Sequence, residues 1–175
     1  MGKIQPPEPA LLFIGTLYTH SETFDRVKAL LENDLGEILF ISPSMPWDYS
    51  SYYRNELGRP IFRQFIFFKD IFNPGAIADI KLQTISLEEM LSVNGRRTIN
   101  LDPGYLSLAK VVLASTKNYS HRIYLGKGIY GEVTLVYQNN TYNPHLFTYR
   151  DYQAKEYIDL FLMIREHLEK NELSS

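Results

Sequence analysis

The chain has no cysteine, and that one absence removes disulfide frameworks, thiolate zinc sites and cysteine nucleophiles together. It also has no apolar run of the length a bilayer-spanning helix needs. Its opening, M-G-K-I-Q-P-P-E-P, lacks the apolar centre of a signal peptide. The cytoplasm is therefore the expected compartment, with no membrane contact. Histidines are few: His20, His121, His145 and His167 are scattered, and none has a His or carboxylate at the helical or hairpin spacing of a zinc site. Four familiar motifs are missing as well. There is no G-x-x-x-x-G-K-[ST] loop, no G-x-G-x-x-G after a strand, no repeated H-x-[ST] and no G-x-S-x-G. P-loop, Rossmann, two-histidine phosphoesterase and common serine-hydrolase chemistries are thereby left without support.

Aromatic residues, in contrast, are plentiful. Ten Phe, thirteen Tyr and one Trp argue against disorder. A length of 175 residues with 45% apolar content suits one soluble domain, residues 1–175, with a real core. The net charge of −2 is uneven: between Gly95 and Gly131, Arg96, Arg97, Lys110, Lys117, Arg122 and Lys127 face Asp102 alone. That surplus of five leaves −7 for the rest of the chain. A cationic region on an acidic protein either attracts a small anion or is a solvated face. Nucleic acid is a poor match for the −7 elsewhere.

Residues 1–9 read as an extended, proline-rich arm. Leu11 to Tyr18 has the apolar character of a buried strand. Ser21 to Asn33 carries Phe24, Val27, Leu30 and Leu31 at helical spacing, with Gly36 at the expected stop. Glu37 to Ser42 is a second strand. Pro43 and Pro46 exclude a regular strand over 43–53, which leads into a short helix, Ser50 to Leu57, ended by Gly58. There, Trp47, Asp48, Tyr49, Tyr52 and Tyr53 form either one wall of a pocket or a cover over a sheet end. Pro60 to Lys69 is a strand; Asn73-Pro74-Gly75 breaks it, a helical region runs to about Ser92, and Arg96 to Leu101 is a further strand. This order is that of a ferredoxin-like unit. The expected fold is a single two-layer α+β domain with a mostly antiparallel sheet, ferredoxin-like in its N-terminal half, and a C-terminal amphipathic helix from Gln153 to Glu172.

Asp102-Pro103-Gly104 is expected to turn the chain into a buried helix, Tyr105 to Thr116, with Lys110 as its only charge. Such a lysine snorkels, meets a carboxylate or faces a ligand. A hairpin follows, His121 to Gly126 and Ile129 to Gln138. A three-residue loop at 127–129 would set Ile123 opposite Val133 and Tyr124 opposite Glu132. In that register His121 lies on the apolar face, and Arg122 and Glu132 sit diagonally on the polar one. Asn139-Asn140 makes a second tight turn.

If the helix and hairpin pack together, several of Arg96, Arg97, Lys110, Lys117, Arg122 and Lys127 can converge on one anion, with Asp102, His121 and Glu132 beside them. Arg suits bidentate recognition of phosphate or carboxylate, whereas Lys acts as a point charge. Gly126-Lys127-Gly128 either presents backbone N–H groups to a phosphate or is an ordinary turn relieved by glycine. His121 and Glu132 are the proton-transfer candidates; otherwise His121 is structural and Arg122–Glu132 is a plain cross-strand ion pair. The residues name no cofactor and leave open whether the protein is an enzyme.

N-L-D-P-G-Y-L at 100–106, K-x-x-L-A-S-T-K at 110–117, S-H-R-I-Y-L at 120–125 and G-K-G-I-Y-x-E-V at 126–133 resemble an uncharacterised bacterial family, domain of unknown function 4416. P-x-x-L-F-I-G-x-L-Y at 9–18 and W-D-Y-S-S-Y-Y at 47–53 are similar to it too. The resemblance covers nearly the whole chain and implies no established activity. The expected function is binding, with or without processing, of a small phosphorylated or nucleotide ligand at the basic region. The alternative is a protein-protein interaction module, or a homo-oligomer, that uses the Tyr/Trp-rich loops.

Overall fold

A computed structural model describes residues 2–172. Among them the chain forms nine strands and four α-helices: β1 (Ala10–Tyr18), α1 (Ser21–Leu35), β2 (Ile38–Ile41), β3 (Met45–Trp47), α2 (Ser51–Leu57), β4 (Ile61–Phe72), α3 (Ile77–Met90), β5 (Ile99–Ser107), β6 (Lys110–Ser115), β7 (Ile123–Gly126), β8 (Ile129–Gln138), β9 (Thr141–Pro144) and α4 (Lys155–Glu172). Residues 2–9 are exposed and without regular structure.

Local chemistry sets several boundaries. α1 buries Phe24, Val27 and Leu31 and ends at Gly36, whose φ of 104° is open to glycine and whose N–H bonds the Glu32 carbonyl. α2 is capped by the Ser50 hydroxyl, which accepts from the Tyr52 N–H at 3.2 Å. Asn139 and Asn140 both adopt positive φ in the tight turn between β8 and β9.

The strands join one antiparallel sheet in the order β2-β4-β1-β5-β6-β8-β7, with β3 added to β4 and β9 to β8. The segment β2-β4-β1-β5 is the ferredoxin-like order, with β3 and α2 inserted before β4. α1 and α3 pack on one face, over Leu12, Ile14, Ile66 and Phe68. α4 packs on the other face, where Tyr157, Phe161, Ile164 and Leu168 meet Phe13, Phe65, Phe67 and Leu106. The expected two layers thus gain a third. Covering on both sides explains why all nine residues of β1 are buried.

Three expectations are corrected. Residues 105–116 are not a helix but the end of β5, a short turn and β6. A continuous apolar run fits buried strands as well as a buried helix. Gly104 decides it, because a Cβ there would lie 2.5 Å from both the Val112 carbonyl oxygen and the Phe13 ring. Asp102-Pro103-Gly104 therefore runs straight through β5 rather than turning. Met45–Trp47, within the segment where Pro43 and Pro46 were expected to exclude a strand, forms a short strand on β4. Lys127 and Gly128, with φ of 54° and 77°, make a two-residue turn, so that Ile123 faces Gly131 and Tyr124 faces Tyr130. A bulge opposite Val111 and Val112 then breaks the alternation of β8. Glu132 and Thr134 turn inward, while Ile123, Leu125 and Val133 stand exposed. His121 accordingly leaves the expected apolar face and turns to Glu132.

Candidate functional site

The sheet splits where β5 and β6 part. They pair only from Gly104↔Leu113 to Leu106↔Val111, whereas β1 accompanies β5 along its whole length. Leu101 turns both backbone groups away from β1, and side chains of α3 take the place of a strand. Lys81 Nζ donates to the Leu101 carbonyl at 2.9 Å, and Glu88 accepts from its N–H at 2.5 Å. Because strand residues alternate in direction, Pro103 presents its missing N–H to this same side. The ladder to β6 has no donor there, and β6 leaves to follow β8. The split opens a cavity of about 490 Å3.

At its inner end lies Arg63, projecting from β4 with a side chain only 3% exposed. Its Nη2 donates to Asp151 at 2.9 Å and its Nη1 to Asp102 at 3.3 Å. Burial opposes this charge, but Asp151, Tyr152 and Asp102 outweigh it and hold the guanidinium above its ordinary pKa. Gly15 on β1 makes the room, since a Cβ there would stand 2.8 Å from Nη1. Trp47 Nε1 donates to the same Asp151 oxygen at 2.9 Å. Asn100 donates to Asp102 Oδ2 at 2.9 Å and accepts from Arg97 at 3.0 Å. Arg97 is further held by Glu56 and Glu88, and the Glu56 hydrogen bond is the main reason its pKa is raised. Burial raises the Glu88 carboxyl, with Lys81 opposing.

The opposite wall comes from β6 and β8. Arg122 reaches Glu132 at 2.8 Å, Ser115 at 2.8 Å and the Tyr149 hydroxyl at 2.5 Å. His121 Nε2 shares the Glu132 Oε2 atom at 3.1 Å, and its ring stacks on Phe147. Burial pushes the Tyr149 phenol up to about 12, against the pull of Arg122. Tyr53 is raised further, again chiefly by burial. At the exposed side of the cavity stand Lys117, with Nζ 5.5 Å from the Tyr52 ring centroid, and Arg150. Neither has an ion-pair partner among the described residues. Six cations thus line the cavity against three carboxylates, Asp102, Glu132 and Asp151.

A family model described as a domain of unknown function, DUF4416, matches residues 8–168, a span that encloses every residue lining the cavity. The chain belongs to this family. No curated protein and no solved structure matches it. For this DUF4416 chain, what the site can do must be argued from the site itself.

Of the residues singled out in the sequence, Trp47, Tyr49, Tyr52, Tyr53, Arg97, Asp102, Lys117, Arg122 and Glu132 line the cavity. His121 touches it through Glu132. The others lie elsewhere. Arg96 is exposed in the turn after α3, and Lys110 starts β6 opposite Val136. Lys127 pairs with Asp79 at 2.5 Å, and Asp48 pairs with Arg54 at 2.7 Å. Arg63, Lys81, Asn100, Arg150 and Asp151 were not anticipated. Arg63 carried a signal, since it shares strand parity with Ile61, Phe65 and Phe67 and so had to point into the core. Among the described residues no group of three or more His, Asp or Glu is placed to hold a metal ion. No helix there is long and apolar enough to cross a membrane.

Proposed function

We propose that the cavity in the split sheet binds a small phosphorylated or nucleotide ligand. One observation carries this reading. Four of the six lining cations are already engaged: Arg63, Arg97 and Arg122 by carboxylates and Lys81 by a carbonyl. Lys117 and Arg150 are left to meet an incoming anion. The volume of about 490 Å3 is in the range of small-molecule sites, and Trp47, Tyr49, Tyr52, Tyr53 and Tyr149 supply flat apolar area. Arg97 and Arg122 then shape the site, and His121 with Glu132 is the proton-transfer pair if the ligand is processed. A cytoplasmic setting and a bacterial source belong to the same proposal.

The test is a thermal-shift panel of nucleotides, sugar phosphates and inorganic phosphate, with and without Mg2+. A ligand at about 100 times its dissociation constant adds about 2.7 kcal/mol, or roughly 5–10 °C at this chain length. The shift should disappear in Lys117→Ala/Arg150→Ala and persist in Lys127→Ala. A silent panel would refute the proposal.

A second reading, a protein-interaction module, is favoured by the exposed Ile123 and Leu125 on the outer strand β7, with Val133 beside them. Sedimentation of the protein against its Ile123→Lys/Leu125→Lys variant would test it, with a loss of association in the variant as the expected result.

A further inference from the structure

The charges of the cavity are not spread evenly. At the inner end Arg63 serves two carboxylates, Asp102 and Asp151, which leaves that end one charge negative. The walls balance, with Arg122 against Glu132, and with Arg97 and Lys81 beside Glu56 and Glu88. The exposed side holds Lys117 and Arg150 unopposed. The cavity is therefore polarised, acidic within and basic without.

Asp102 sharpens this asymmetry. Its Oδ2 atom takes both available hydrogen bonds, from Arg63 and Asn100, and no protein donor among the described residues reaches Oδ1. With 26% of its side chain exposed, this carboxylate is open to the cavity. An ionised carboxylate only accepts, so whatever meets it must donate. Beside this end Tyr53 packs on Trp47 at 5.4 Å and on Tyr52 at 5.1 Å, and Tyr149 lines the same cavity. They offer a flat apolar setting between the acidic and basic ends. Arg63 Nε and the Tyr152 hydroxyl, both buried at this end, make no hydrogen bond among the described residues. The inner end is thus incompletely satisfied.

We infer that the ligand enters ring first: a phosphorylated compound with a planar, amino-bearing ring, its amino edge donating to Asp102 and its phosphate held outside by Lys117 and Arg150. This rests on the ligand-binding reading above and adds its orientation and its donor edge. A ring with a carbonyl at the same position would set an acceptor against the Asp102 carboxylate and be rejected.

Two matched pairs of probes decide it, AMP against IMP and CMP against UMP, each titrated calorimetrically into the wild-type protein. Each exchange replaces the exocyclic amino donor by an oxo acceptor and moves a proton to the neighbouring ring nitrogen, so the comparison reads the exocyclic contact, where a hydrogen bond to a charged group changes affinity by about tenfold or more. The expected result is tighter binding of the amino member in at least one pair, by about that factor, with the preference lost in Asp102→Asn. The wild-type comparison stands even if that variant folds poorly. Equal affinities within both pairs, or tighter binding of the oxo members, would overturn the inference. If that binding still required Lys117 and Arg150, the phosphate reading would survive. Absence of binding by all four, and by inorganic phosphate, would overturn both.

Discussion

Replacing Arg63 by Met tests the account of the inner cavity without any ligand. The side chain is 3% exposed and bridges Asp151, 6% exposed, and Asp102, 26% exposed. Methionine fills similar space but leaves two carboxylates facing one another without their cation. Removing one partner of a buried ion pair costs about 3–5 kcal/mol, and at this length each kcal/mol lowers Tm by about 2–4 °C. Arg63→Met should therefore melt roughly 6–20 °C below the parent. The guanidinium also lies 5.5 Å from the Phe65 ring centroid and 5.8 Å from that of Tyr152, contacts that add to the loss. Urea unfolding followed by far-ultraviolet circular dichroism gives the free energy, and Trp47, the single tryptophan, reports on the site through its bond to Asp151. A second change separates charge from packing. Asp151→Asn keeps an acceptor for Trp47 while removing one negative charge. Arg63→Met/Asp151→Asn should regain at least about 1 kcal/mol over Arg63→Met, a coupling typical of residues in contact. A loss below about 1 kcal/mol in Arg63→Met, or a double variant as unstable as the two single losses added, would refute the idea that Arg63 is held by charge.

Gly104→Ala should destabilise by about 1–3 kcal/mol or more, because the new methyl meets a backbone carbonyl that cannot rotate away. An unchanged urea midpoint would show that β5 and β6 approach less closely than described. Alkaline titration tests the buried phenols. Burial raises Tyr149 to about 12 and raises Tyr53, Tyr142, Tyr152 and Tyr157 as well. In the unfolded chain these groups ionise near about 10. Their stabilising effect is complete below that pH and is lost as pH rises through the raised values. Tyrosinate absorbance should therefore show a late, cooperative component coincident with unfolding. A smooth titration centred near about 10 with the fold intact would contradict this.

Much of the fold was legible wherever a local rule decided the outcome. Gly36 and Gly58 end helices, and Asn139-Asn140 turns a hairpin, because backbone conformation at those positions depends on the residues themselves. β5 and β6 were hidden by the same apolar richness that buries them: covered on both faces, their pattern lacks the period that separates strand from helix. Pro103 was read as a turn, yet its effect is to withhold a ladder donor, which becomes visible only beside a neighbouring strand. The cavity was half legible for this reason. Trp47, Tyr49 and the cations near Lys117 and Arg122 announce themselves by composition. Lys81 and Glu88 look like ordinary helix surface until the Leu101 backbone is found unpaired beneath them. Lys127 shows the reverse case, a lysine between two glycines whose partner is simply Asp79.

The most direct measurement of the central claim uses the single indole N–H of Trp47. In a 15N–1H correlation spectrum it gives one side-chain peak from the inner end of the cavity, where it bonds Asp151. Adding AMP, CMP, IMP, UMP or a sugar phosphate should move that peak for at least one of them, with saturation, and Lys117→Ala/Arg150→Ala should abolish the movement. A peak that stays fixed throughout the panel, or moves equally in that variant, would contradict a phosphorylated ligand in the split sheet.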